Sequence, residues 1–182
     1  MINADGSESI IGYNAIVENY DRGKIFEGTS TNDWIRNFGA QRSTINSGAG
    51  DDFIYNNGSR LSVINGGAGD DFISNNSNRA TLNGEDGNDY IFTERSANVV
   101  INGGAGSDAV RNESSDATIN GEAGDDLLIN HIEGALVNGG AGDDSIENGG
   151  RTQRSTEEQA TILSETLTAT ARSSTVARAM IS

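Results

Sequence analysis

The strongest constraint on this chain is a register. Six segments align end to end: TINSGAGDDFIYN from Thr44, VINGGAGDDFISN from Val63, TLNGEDGNDYIFT from Thr81, VINGGAGSDAVRN from Val100, TINGEAGDDLLIN from Thr118 and LVNGGAGDDSIEN from Leu136. A weaker copy, IFEGTSTNDWIRN, begins at Ile25. One aspartate anchors each copy (Asp33, Asp52, Asp71, Asp89, Asp108, Asp126 and Asp144), and consecutive anchors lie 18 or 19 residues apart. A period of that size, held over seven copies, marks a solenoid in which each repeat is one coil.

Within each period the apolar residues alternate. Ile73 sits between Phe72 and Ser74, and Leu82 between Thr81 and Asn83, so each coil offers two short strands joined by two turns. One inward column is Ile35, Ile54, Ile73, Ile91, Val110, Leu128 and Ile146; the other is Ile45, Ile64, Leu82, Ile101, Ile119 and Val137. The pattern predicts an all-β fold: a parallel β-roll or β-helix solenoid of about seven coils over residues 25–150, rising about 4.8 Å per coil. Residues 1–24 are expected to form an N-terminal cap segment. Residues 151–182 read as a C-terminal helical tail, with Ser155 and Glu158 as a capping box and Ala160, Leu163, Leu167 and Ala171 at helical spacing, predicting a helix over 156–172.

Such a core is thin. Apolar residues make up 34% of the 182, there are 24 glycines and neither proline nor cysteine, and the net charge is −15. Residues 44–150 alone hold 18 acidic and 4 basic side chains, so compaction there requires cations. Thiolate metal sites and disulfides are excluded by composition. Nucleic acid does not suit this surface. No apolar run reaches the roughly 20 residues of a membrane span, and the N-terminal MINADGSESI lacks the basic and apolar regions of a signal peptide.

Each period carries one glycine-rich turn ahead of its anchor: Ser47-Gly48-Ala49-Gly50-Asp51-Asp52, Gly66-Gly67-Ala68-Gly69-Asp70-Asp71, Gly84-Glu85-Asp86-Gly87-Asn88-Asp89, Gly103-Gly104-Ala105-Gly106-Ser107-Asp108, Gly121-Glu122-Ala123-Gly124-Asp125-Asp126 and Gly139-Gly140-Ala141-Gly142-Asp143-Asp144. These turns resemble the nonapeptide G-G-x-G-x-D-x-U-x of the RTX (repeats-in-toxin) hemolysin-type calcium-binding proteins. The resemblance covers 47–146 well and 28–46 weakly. It implies calcium ions held between turns of successive coils by backbone carbonyls of the glycine turns and by Asp52, Asp71, Asp89, Asp108, Asp126 and Asp144. The chemistry agrees, since calcium takes six to eight oxygens and a single turn cannot supply them while two stacked turns can. Six such turns imply about five ions in one row, with Asp33 a candidate for a further site. An EF-hand is excluded because no D-x-D-x-D-G loop occurs.

The second turn of each coil departs from the family. It lacks paired glycines and the aspartate, so only one edge is expected to hold calcium. The opposite edge is expected to be tied by a ladder of Asn37, Asn56, Asn75, Asn112, Asn130 and Asn148, interrupted at Thr93. Outward-facing Trp34, Phe53, Phe72 and Tyr90, with Tyr55 and Phe92, form an aromatic strip. It is either a docking face for a protein or glycan or a surface covered by residues 1–24 or the C-terminal tail.

His131 is the only histidine, and G-x-S-x-G, H-E-x-x-H and P-loop motifs do not occur. The chain therefore reads as a non-enzymatic calcium-binding module, extracellular or on the surface of a bacterial cell. The tail then serves either as a cap or as an uncleaved export signal of the kind the resemblance implies. The alternatives are an adhesive module for glycan, protein or ice, and a fragment of a secreted toxin or hydrolase. Ice is the poorer fit, because the outward turn positions are Ala68 and Asp70, Ala105 and Ser107, and Ala123 and Asp125.

Overall fold

The computed structural model describes residues 15–20, 22–39, 41–149 and 154–156. These form two parallel sheets of eight strands each. The first contains β1 (Ala15–Asn19), β3 (Asp33–Phe38), β5 (Phe53–Asn57), β7 (Phe72–Asn76), β9 (Tyr90–Ala97), β11 (Ala109–Ser115), β13 (Leu127–Asn130) and β15 (Ser145–Asn148). The second contains β2 (Ile25–Thr29), β4 (Thr44–Ala49), β6 (Val63–Ala68), β8 (Thr81–Asp86), β10 (Val100–Ala105), β12 (Thr118–Ala123), β14 (Leu136–Ala141) and β16 (Arg154–Thr156). The chain alternates between sheets at every strand, which makes it a parallel β-solenoid of about seven turns. Within the segment expected as an N-terminal cap, β1 adds a strand by pairing with β3. The helix expected over 156–172 lies outside the described residues apart from Thr156, the last residue of β16.

The repeat sets the register. Ile35 lies opposite Ile54, Ile54 opposite Ile73, and Ile73 opposite Ile91. On the other sheet Ile45, Ile64, Leu82, Ile101, Ile119 and Val137 follow one another in the same way. Both columns are fully buried except Ile146, which packs partly exposed at the end of the core. A strand has period two, so when Ile73 points inward Asp71 and Asn75 must as well. The interior of the first sheet thus has three parallel lanes: carboxylates, aliphatics and amides.

The amide lane forms as expected. Nδ2 of Asn37 donates to Oδ1 of Asn56 at 2.8 Å, and Asn56 to Asn75 at 2.7 Å. Asn19 extends the lane by donating to Asn37 at 2.9 Å. At Thr93 the lane breaks, and Asn75 turns to the Ser77 carbonyl instead. It resumes from Thr93 through Asn112 and Asn130 to Asn148. Buried serines widen this edge, with Ser43 and Ser62 hydroxyls 3.2 Å apart and Ser96 and Ser114 hydroxyls 2.6 Å apart.

The difference between 18- and 19-residue periods lies entirely on this edge. From the second column to the next first column, as from Ile64 to Ile73, the step is always 9 residues. From the first column to the second it is 9 or 10. Each longer arc carries two residues in the left-handed region, Gly39 with Arg42, Gly58 with Leu61, and Arg95 with Asn98. The shorter arcs carry one: Arg79, Asp116 or Gly134. The extra residue is absorbed as one additional left-handed kink, and in β9 it appears as a bulge opposite Glu113–Ser115. A non-glycine residue held there costs about 1–2 kcal/mol.

Candidate functional site

The opposite edge stacks the six glycine-rich turns directly on one another. The nitrogen of the fourth turn residue donates to the carbonyl of the third turn residue of the next coil, as Gly50 does to Ala68 at 2.7 Å and Gly87 to Ala105 at 2.8 Å. Gly67 and Gly69 have φ of 108° and 126°, values open to glycine and strained for other residues. Glu85 and Glu122 hold the second turn position at φ 81° and 82°, so two turns carry that strain.

A second constraint acts on the first turn residue. A Cβ placed on Gly66 would strike Oδ2 of Asp71 and, at 2.7 Å, the carbonyl oxygen of Gly84 in the next coil. Gly84, Gly103 and Gly121 stand in the same relation to Asp89 and Gly103, Asp108 and Gly121, and Asp126 and Gly139. The glycine therefore keeps open a small space bordered by one carboxylate oxygen of its own coil and a backbone carbonyl of the next. In the turn at Ser47 the first position has a side chain, and its hydroxyl donates to the carbonyls of Asn65 and Gly66.

The seven anchoring aspartates are all buried, with relative exposures of 0% to 8%. In six of them Oδ1 accepts the backbone N–H of the anchor one coil earlier: Asp33 N–H to Asp52, Asp52 to Asp71, Asp71 to Asp89, and so on to Asp126 and Asp144, at 2.7 to 3.0 Å. Oδ2 of Asp52, Asp71, Asp89, Asp108, Asp126 and Asp144 is buried and has no hydrogen-bond partner. Asp33 differs, because both of its oxygens are taken up within its own turn.

Burial pushes the carboxyls of Asp52, Asp71, Asp89, Asp108 and Asp126 up from their ordinary range near 4, more than the neighbouring backbone N–H, joined at Asp52 by the Ser47 hydroxyl, holds them down. Asp71 rises to about 8, Asp126 to about 7, and Asp52 and Asp89 to about 6. Asp108 moves in the same direction for the same reason. A row of buried, half-satisfied carboxylates is an unstable arrangement for protein groups alone. It suits a hard cation that takes oxygen ligands. Among the described residues no three His, Cys, Asp or Glu side chains converge as a metal cluster, and the protein oxygens that border the same space as Oδ2 of Asp71, Asp89, Asp108 and Asp126 are the backbone carbonyls that the glycines present. The residues present fit calcium.

Two ladders on this half of the rod carry no signal in the inward pattern. At the fifth turn position, Asp70 N–H donates to Asp51, Asn88 N–H to Asp70 and Ser107 N–H to Asn88, at 2.8 to 3.0 Å. On the outer face of the second sheet, Asn65 donates to Asn46, Asn83 to Asn65, Asn102 to Asn83 and Asn120 to Asn102, at 2.7 to 2.8 Å. The TIN, VIN and TLN strings in the repeats were the legible trace of the second ladder, since coil stacking brings any invariant polar position into line.

The aromatic strip also stacks between coils. Phe53 lies between Trp34 and Phe72, with ring centroids 5.1 and 4.8 Å away. Phe72 continues to Tyr90 at 5.3 Å, and Arg111 lies over Phe92. Both faces of Phe72 and one face of Phe53 are therefore stacked on neighbouring rings, while Trp34 meets Phe53 tilted at 54°.

Fold and edge together define a parallel β-solenoid with one row of glycine–aspartate turns built to take cations. The family model described as RTX calcium-binding nonapeptide repeat (4 copies) matches residues 39–59, 62–79 and 81–100, so this stretch carries RTX-type repeats. The turns at Gly103, Gly121 and Gly139, beyond the matched stretch, repeat the same geometry. No curated protein and no solved structure matches the chain. Among the described residues no helix is long and apolar enough to cross a membrane.

Proposed function

We propose that the chain is a non-catalytic structural module of a secreted or surface bacterial protein, which folds when calcium fills its glycine–aspartate edge. One observation carries this reading: six buried Asp Oδ2 atoms without partners, in register, along a row of backbone carbonyls. Asp52, Asp71, Asp89, Asp108, Asp126 and Asp144 supply the carboxylates. Glycines of the six turns hold the carbonyls close by excluding side chains from the space.

Calcium bound there supplies positive charge and completes the oxygen shell. About five ions would bring roughly +10 to a segment of residues 44–150 whose side chains sum to −14. Where calcium is scarce the carboxylates repel and the thin aliphatic lane cannot hold the coils. Where calcium is millimolar, binding and folding proceed together. A chain that is extended inside the cell and rigid outside is suited to export through a narrow channel.

Circular dichroism in chelator, followed by calcium titration, tests this. The expected result is a coil spectrum that converts cooperatively to β. A chain already fully β in chelator at neutral pH would refute it.

A further inference from the structure

The first turn of the row, Gly28 to Asp33, has the sequence GTSTND and superposes on the others in register. Its carboxylate is in a different state. Oδ2 of Asp33 accepts the backbone N–H of Thr29 at 2.6 Å, and Oδ1 accepts the Thr29 hydroxyl at 3.0 Å. The same hydroxyl lies 3.0 Å from both the carbonyl and the hydroxyl of Thr31. Asp33 is the one anchor among the seven whose Oδ2 has a partner.

The backbone differs as well. Thr29 and Thr31 occupy the second and fourth turn positions, where Gly67 and Gly69 have positive φ, and neither threonine does. The space itself persists, because a Cβ on Gly28 would still meet Asp33 Oδ2 and the Ser47 carbonyl. What changes is that a donor inside the turn now satisfies the oxygen that, in the other turns, faces this space with no partner.

We infer that the Gly28–Asp33 turn is an ion-free end to the calcium row, in which Thr29 satisfies Asp33 in place of a cation. This rests on the calcium reading of the other six turns. A carboxylate already accepting two hydrogen bonds gains less from a cation than one with a bare buried oxygen. Two threonines outside the left-handed region also turn their carbonyls differently from glycines. The row then begins at Asp52, and the coil of Asp33 docks on it through hydrogen bonds and apolar packing, with no ion between them.

Ions per chain, counted by native mass spectrometry after equilibration with calcium, test the inference. Asp33→Asn is expected to retain the wild-type count, while Asp89→Asn loses at least one ion. Thr29→Gly/Thr31→Gly removes the hydroxyl bound to Oδ1 and opens both positions to the positive φ of the other turns, whose aspartate Oδ2 has no partner, so it is expected to gain one ion. Loss of an ion in Asp33→Asn, or no gain in the double glycine variant, would overturn the inference while leaving calcium binding by the other turns intact. A wild-type chain that takes up no calcium would sink the functional reading, and this inference with it.

Discussion

Two edges of the same rod solve one problem with different chemistry. Asp71 and Asn75 flank Ile73 on β7, both point inward, and both tie their coil to its neighbours. Asparagine carries a donor and an acceptor on one side chain, so within an unbroken run each Asn accepts from one coil and donates to the next, and at the Thr93 break Asn75 donates to the Ser77 carbonyl. Aspartate carries acceptors only. One oxygen takes the preceding coil's N–H, and no protein donor reaches the other. A lane of amides is complete as protein, whereas a lane of carboxylates is complete only with cations. The edges also differ in tolerance: the amide edge varies between 9 and 10 residues per arc, and the aspartate edge is always 9. A left-handed kink can absorb an extra residue where only side chains meet, but not where successive carbonyls have to aim at one point.

The harshest way to break this contrast is insertion. One glycine added between Gly69 and Asp70 would misalign the turn with both neighbours and reverse the facing of β7. The expected outcome is loss of the cooperative calcium-induced transition in circular dichroism. One glycine added between Asn78 and Arg79 would convert a short arc into a long one, like that at Gly58 and Leu61. That insertion should shift stability in calcium by less than about 1 kcal/mol, and a large loss would show that the edges are equally strict.

Asp71→Asn sharpens the comparison through a change of sign. In saturating calcium the variant loses a ligand, and urea unfolding should show a loss of about 1–3 kcal/mol. In chelator it removes a buried, uncompensated charge while Oδ1 keeps the Asp52 N–H, so residual β structure should rise. Equal losses in both conditions would mean that the carboxylate is merely structural. On the other edge, Asn56→Ala strands the amides of Asn37 and Asn75. It should lower stability by about 1–3 kcal/mol with no change in ions bound per chain.

The mildest probe is pH. The folded pKa values of Asp52, Asp71, Asp89, Asp108 and Asp126 are raised, so at these groups protons bind the folded chain more tightly than the unfolded one. In chelator the fold is therefore most stable below the ordinary carboxylate range, near 4, and is weakened as pH rises through about 6 to 8. Acidifying the metal-free chain from pH 8 to 5 should increase its β signal. Calcium affinity should change in the opposite sense, rising with pH as protons leave the ligands. A metal-free β signal that falls on acidification would contradict the buried-carboxylate account.

Much of the site could be read in the repeat. The two aliphatic columns, the anchor aspartates, the glycine positions and the break at Thr93 all followed from register, because a stacked fold lines up whatever recurs. Less legible was the state of each anchor. Asp33 has the same place in the pattern as Asp71, and only the Thr29 hydrogen bonds separate them. The aromatic strip read as an outward surface and lies on the outer face, but that its rings stack on one another between coils was not legible.

Amino-acid order alone determined the period, the inward lanes and the concentration of negative charge, since each depends on spacing and composition. Tertiary structure decided which carboxylate oxygens find a donor and which do not. That outcome turns on ångström-scale contacts between residues 18 or 19 apart in the chain, and on the local path of each turn, which periodicity does not encode.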